Sequence, residues 1–207
     1  MEELRIKREF FQIEIAKGEI INFGRLFGNG HPVHLEIGSG RGEFLIQKAE
    51  QNPQVNFFAL ELKEKRIKTI LRKLDPQNHG NVKLSRVLVD ASITEYIGEN
   101  SLEMIYIIHP DPWPKRKHFK NRIIQKEFIT HLKKILKPKG EIFISTDLKE
   151  YASWILKLFN ERNDFKSYYE NGYTHISPEG HFETHFEKKK KQEGYNPFYM
   201  RFIKMTD

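Results

Sequence analysis

The sequence predicts an α/β fold: a mostly parallel, seven-stranded sheet with helices on both faces. Three observations point there. Short apolar runs alternate with amphipathic stretches whose hydrophobic residues recur at helical spacing. A loop with glycine at alternate positions follows the first apolar run and opens a helix. Acidic residues stand at or near the ends of four successive strands, where open α/β sheets bind ligands.

Residues 1–30 read as an N-terminal arm, helical or partly ordered, with Phe10, Phe11, Ile13 and Ile15 as apolar anchors. The domain proper spans 31–207. Its first strand, 33–37, runs into Gly38-Ser39-Gly40-Arg41-Gly42, and a helix follows from Glu43 to about Gln51. Alternate glycines permit positive φ and a close approach of backbone to a ligand at the helix start. The dinucleotide pattern needs a third glycine where this chain has Glu43. A carboxylate there repels a diphosphate, which argues against a nicotinamide or flavin enzyme.

The second strand, 56–60, ends in Glu61, about where an acid accepts hydrogen bonds from ribose hydroxyls. Ile67, Ile70, Leu71 and Leu74 mark the next helix, which Pro76 and Gly80 stop. Strand 82–89 leads to Asp90-Ala91, and strand 104–108 leads to Asp111. One acid at a strand end is ordinary surface chemistry. Glu36, Glu61, Asp90 and Asp111 in series suggest a cationic nucleoside ligand without phosphate. A helix then starts near Ile123 and ends at Pro138-Lys139-Gly140. Strand 141–145 leads to Thr146-Asp147 and a helix carrying Tyr151, Trp154, Ile155 and Leu158. Asp147 reads equally as a cap for that helix and as a substrate contact. Strands 165–169 and 197–205 complete the seven. Between them lies a polar loop, 181–187, followed by the run Lys188 to Lys191.

The chain has 207 residues, a formal charge of +7 and no cysteine. Disulfides, thiolate metal sites and cysteine nucleophiles are therefore excluded, and no metal site is expected. The positive balance favours a polyanionic partner or an anionic surface. No apolar run reaches the ~18 residues of a membrane span, so the expected setting is cytoplasmic, with no membrane partner.

The most informative stretch is Pro110-Asp111-Pro112-Trp113-Pro114-Lys115, continued by Arg116, Lys117, His118, Phe119, Lys120, Asn121 and Arg122. Two prolines with φ fixed near −65° stiffen the turn around Asp111. A site carboxylate followed by a cationic run suggests an enzyme acting on nucleic acid. Trp113 reads either as a base-stacking platform or as packing for the loop.

With these residues, the chain resembles the bacterial tRNA (guanine-N(7)-)-methyltransferases, a class I S-adenosylmethionine-dependent family with a Rossmann-like fold. The motifs are Leu35-Glu36-Ile37-Gly38-Ser39-Gly40-x-Gly42, Asp90-Ala91, Pro110-Asp111-Pro112-Trp113-Pro114-Lys115, Ser145-Thr146-Asp147 and Thr184-x-Phe186-Glu187. The Asp-Pro-Trp block with its basic tail, paired with the late Thr-x-Phe-Glu, is the specific part. The resemblance implies S-adenosyl-L-methionine as cofactor, held by Glu36, Gly38, Gly40, Glu61, Asp90 and Asp111, with Asp111 also catalytic. It implies that Lys115, Asp147, Thr184, His185, Phe186 and Glu187 contact the substrate. It also implies that Lys117, His118, Phe119, Lys120, Asn121 and Arg122 touch RNA. The implied partner is tRNA, not DNA, methylated at the variable-loop guanosine (position 46) by a monomer or homodimer. Two positions depart from the family's habit: Asn121 stands where an arginine is common, and His109 where an aromatic residue is common.

Three rivals are weaker. An exocyclic-amine methyltransferase is expected to carry two adjacent prolines after the acid, and here Trp113 separates Pro112 from Pro114. A non-catalytic RNA-binding protein predicts a damaged pocket, whereas the four acids and three glycines are intact. A small-molecule methyltransferase leaves the basic strip without a purpose.

Overall fold

The computed structural model describes residues 2–16 and 18–206; Met1, Lys17 and Asp207, which belong to the arm and domain ranges above, lie outside them. The chain order is α1 (Glu2–Phe11), β1 (Gln12–Ile13), α2 (Phe23–Phe27), β2 (Val33–Ile37), α3 (Glu43–Gln51), β3 (Asn56–Glu61), α4 (Glu64–Lys73) and β4 (Val82–Arg86). It continues with β5 (Leu102–Ile108), α5 (Lys126–Ile135), β6 (Leu136–Thr146), α6 (Lys149–Asn160), β7 (Phe165–Ser167), α7 (His185–Gln192) and β8 (Phe198–Lys204). Two 3₁₀ turns, Ala91–Glu95 and Arg116–Asn121, punctuate the loops.

The sheet has eight strands in the order β1-β4-β3-β2-β5-β6-β8-β7, not the seven expected. The extra strand comes from the N-terminal arm: Gln12 and Ile13 pair in parallel with Leu84 and Ser85 at the sheet edge. Two residues carry no readable period, so only the pairing reveals them. From β1 through β6 the strands run parallel, and β8 inserts antiparallel between β6 and β7.

All six residues of β3 are buried, as a parallel strand covered on both faces demands. Leu35, Phe58, Leu60, Ile105 and Ile142 face α5 and α6, while Phe57, Ala59, Leu84 and Tyr106 face α1, α3 and α4. Each fully buried leucine, isoleucine or phenylalanine contributes about 1.5–3 kcal/mol. Polar residues in β3 are confined to its ends. Asn56 Nδ2 donates to Asn29 Oδ1 at 2.7 Å, and Glu61 ends the strand at the ligand rim.

Other boundaries differ from the sequence reading: β5 begins at Leu102 rather than 104, β7 ends at Ser167 rather than 169, and β8 spans 198–204 rather than 197–205. β4 stops at Arg86, because 87–89 leaves the ladder for the Asp90 turn. β6 begins at Leu136 rather than 141, and Lys139 and Gly140 lie inside it. α5 begins at Lys126, not near Ile123; Ile124 is buried in the preceding loop and its carbonyl accepts from Trp154 Nε1 at 2.9 Å. The expected polar loop around 185 is the helix α7. A segment reading His-Phe-Glu-Lys-Lys-Lys-Lys-Gln has almost no apolar face to detect.

The strand order turns at β2, with β3 on one side and β5 on the other. Glu36 and Tyr106 are register partners across that junction. The loops leaving β2 and β5 therefore open opposite each other, where ligands bind in doubly wound sheets.

Candidate active site

The glycine loop sits against the end of β3. Gly38 and Ser39 donate backbone N–H groups to the Leu60 carbonyl at 2.8 and 3.3 Å. A methyl group at Gly42 would meet Ile70 Cγ1 at 2.9 Å, so glycine here lets α3 lie against α4. Gly38, Gly40 and Gly42 all have positive φ, at 77°, 58° and 73°.

Gly40 N–H donates to Glu61 Oε2 at 2.9 Å, and Lys63 N–H donates to Oε1 at 2.8 Å. Glu61 thus ties the loop after β2 to the tip of β3. Oε2 also accepts from Arg66 Nη1 at 3.5 Å, while Oε1 keeps a second lone pair for a hydroxyl. Glu36 is 3% exposed, and its Oε2 has no hydrogen-bond partner within the protein. Burial pushes its carboxyl up to about 8, with the neighbouring Ser39 opposing the rise and the nearby Glu61 charge adding to it. Asp90 Oδ1 accepts from Ser92 N–H at 2.8 Å, and the Ser92 bonds hold the Asp90 carboxyl below its ordinary value.

Gly38, Glu61, Asp90 and Asp111 line one cleft of about 620 Å³, whose apolar wall includes Leu60, Val89 and Ile107. Glu36 lies two residues before the glycine loop rather than on the cleft surface. The donor set fits S-adenosylmethionine: a buried carboxylate oxygen without a partner suits a cation, Glu61 suits a ribose diol, and the apolar wall suits adenine.

Asp111 is exposed at the cleft mouth. His109 and Trp113, two positions to either side, hold positive φ of 47° and 42°. Bulky residues seldom adopt this region, at a cost of about 1–3 kcal/mol each. Such strain persists only where the surroundings enforce it. His109 N–H donates to the Ser145 carbonyl at 3.0 Å. Arg122 Nε donates to the Pro112 carbonyl at 2.8 Å and closes the base of the loop.

Arg122 corrects the expectation of an RNA contact. It is 3% exposed, with its guanidinium 3.6 Å from the Phe119 ring centroid and 4.9 and 5.1 Å from those of Tyr151 and Trp154. Its charge braces the loop from within. Lys115, Arg116, Lys117, Lys120 and Asn121 are exposed, while His118 and Phe119 are half-buried. Lys120 and Asn121 also line the cleft, so the cationic strip opens onto the pocket. Trp113 is 37% exposed and packs edge-on to His118 at 5.6 Å.

The late motif forms the start of α7. Thr184 is its N-cap, accepting from Glu187 N–H at 3.2 Å. His185 N–H donates to Glu43 Oε2 at 2.6 Å, which pins α7 to the first residue of α3. Glu43, read in the sequence only as a missing glycine, is therefore a docking point. Glu187 is fully buried: it accepts from the Tyr199 hydroxyl, His181 Nε2 lies at 2.9 Å, and His109 Nε2 at 3.5 Å. Burial pushes its carboxyl up, but these contacts outweigh it and hold the group well below the usual carboxylate range. Glu187, expected to contact the substrate, is buried in the interior as an anchor for α7. Phe186 is 46% exposed and lies edge-on to His109 at 5.1 Å. Asp147 does not cap α6; Leu148 N–H is served by Thr146 Oγ1 at 3.3 Å, and Asp147 Oδ1 instead lies 3.9 Å from His109 Nδ1. His181 and Tyr199 were not legible as site residues, since nothing in their spacing links them to Glu187.

A family model described as "Putative methyltransferase" matches residues 30–199. A tRNA (guanine-N(7)-)-methyltransferase from Buchnera aphidicola is 37% identical over 204 residues, covering 95% of this chain and 84% of the relative. Proteins of the same name from Enterococcus faecalis and Streptococcus uberis are 39% and 38% identical over 65% and 66% of this chain; the matches span 63% and 64% of those relatives, just under two thirds of their length. Among solved structures, the 16S rRNA methyltransferase KamB aligns with a TM-score of 0.64 at 15% identity, covering 94% of this chain and all of that one. A SAM-dependent methyltransferase from Aquifex aeolicus aligns at 0.57 and 12% identity, covering 99% and 90%. These likenesses establish the class I methyltransferase fold, and the sequence match does the rest: the chain belongs to the tRNA (guanine-N(7)-)-methyltransferase family.

Proposed function

We propose that this protein transfers the methyl group of S-adenosyl-L-methionine to the 7-nitrogen of the variable-loop guanosine (position 46) of tRNA. The observation that carries the reading is the junction of two surfaces: an acid-rimmed cleft and an exposed cationic strip meet at Asp111, Lys120 and Asn121.

The cofactor, when bound, supplies a methyl group made electrophilic by a sulfonium. The 7-nitrogen of guanine carries a free lone pair in the major groove, so no proton has to be removed before attack. Methyl transfer would move the positive charge from the sulfonium to the purine. Glu36, Glu61 and Asp90 favour a cation on one side. Asp111 orients the guanine and stabilises the arriving charge. Holding the lone pair in line with the methyl supplies much of the remaining acceleration.

Lys115, Arg116, Lys117 and Lys120 hold tRNA phosphates, with His118, Phe119 and Asn121 beside them. Asp147, His185 and Phe186 face the substrate side, and Thr184 and Glu187 act by setting α7. A tRNA substrate places the work in the cytoplasm, and no helix among the described residues is long and apolar enough to cross a membrane.

The test is methyl transfer from labelled S-adenosylmethionine to a tRNA with guanosine in the variable loop, beside the same tRNA with 7-deazaguanosine there. Transfer to the first and none to the second is expected. Equal transfer to both would place the methyl on another atom.

A further inference from the structure

His109 combines three features that packing alone does not explain. Its side chain is 7% exposed, yet both ring nitrogens lack a hydrogen bond. Buried unpaired nitrogens cost about 1–3 kcal/mol, which a phenyl ring of similar shape avoids. Its backbone is held at φ 47°, a second cost at the same position. Third, the two nitrogens face carboxylates from two different elements: Nδ1 is 3.9 Å from Asp147 at the end of β6, and Nε2 is 3.5 Å from Glu187 in α7. The residue is also two positions before Asp111.

We propose that His109 is a positioning residue, tying the Asp147 turn and α7 to the loop that carries Asp111. The inference rests on the methyltransferase reading and extends it. Both contacts are longer than hydrogen bonds, so the ring stands between two acceptors with room to close on either. Closure on Asp147 and Glu187 fixes Phe186, which already lies against the ring, and sets the substrate side of the cleft in register with Asp111. Glu187 is independently anchored by His181 and Tyr199, so α7 offers His109 a fixed partner.

Three variants separate this role from simple filling of space. His109→Phe keeps the shape and removes both nitrogens. His109→Gln restores a donor near the Nε2 position, and His109→Asn restores one near Nδ1 while tolerating positive φ. For His109→Phe, kcat on tRNA is expected to fall roughly tenfold to a hundredfold, the scale of a misplaced reacting group. S-adenosylmethionine affinity, measured without tRNA, and the melting temperature should hold. Gln or Asn should recover part of kcat. Amide exchange across 185–192, which needs neither cofactor nor tRNA, should quicken in His109→Phe. Wild-type kcat in His109→Phe overturns the proposal, with or without faster exchange. So does a joint loss of cofactor affinity and melting temperature in all three variants, which marks a structural role. If the wild-type protein methylates no tRNA, the functional reading fails instead, and the exchange measurement still judges the tie.

Discussion

Glu36→Gln is the perturbation with the most direct physical forecast. Glu36 is buried and its carboxyl is pushed up from 4.5 to about 8, chiefly by burial. Below pH 4.5 the residue is protonated in both native and unfolded chains. Between 4.5 and about 8 the unfolded chain has released its proton while the native chain keeps it. The stability due to this group is therefore full at low pH and is lost as pH rises through about 8. At about 1.4 kcal/mol per pH unit, the loss reaches roughly 3 kcal/mol at pH 7 and about 5 kcal/mol above the native value. Glutamine keeps the shape and does not titrate. Urea denaturation of both proteins without cofactor, from about pH 5 to pH 8.5, should show the difference drifting by roughly 3–5 kcal/mol in favour of the variant. Curves that stay parallel across that range would refute the reasoning. The same coupling predicts that a cationic cofactor, by favouring ionised Glu36, releases up to one proton on binding at pH 7. Calorimetry in buffers of different ionisation enthalpy reads that proton directly.

The other predictions concern the loop and the strip. Asp111→Asn should lower turnover by about a hundredfold or more and leave S-adenosylmethionine binding intact; unchanged single-turnover rates would remove Asp111 from the chemistry. Lys117→Ala should weaken binding to all tRNAs alike and reduce the slope of log affinity against log salt by about one. Arg122→Ala should instead lower stability by about 2–3 kcal/mol through lost packing and cation–π contacts, as unfolding curves would show. Gly42→Ala should cost about 1–3 kcal/mol in the same assay, because Ile70 stands 2.9 Å from the added methyl.

Most of the sheet was legible because parallel strands buried on both faces are nearly continuous apolar runs, as in 56–60 and 104–108. The glycine loop and the acids were legible because strand ends are punctuated by residue type. What escaped depends on partners distant in sequence. β1 is two residues whose only signature is pairing with β4. Arg122 reads as one more cation until its guanidinium is found among Phe119, Tyr151 and Trp154. Glu187 stands in a segment that looks solvated throughout, and only His181, Tyr199 and His109 show it to be interior. His109 itself departs from the family's habit, but the two carboxylates facing it come from the turn after β6 and from α7.

The bond between Glu43 and His185 joins positions 142 residues apart. Chains emerge from the ribosome N-terminus first, and their domains gain structure as they emerge. Glu36 and the three acids that line the cleft, Glu61, Asp90 and Asp111, are made in the first 111 residues. Helix α7, and the strand β8 that anchors it through Tyr199, arrive near the end. A nascent copy of this protein therefore has these acids well before it has α7. Completion waits on Glu43, an early residue that offers an acceptor which only the last tenth or so of the chain can fill.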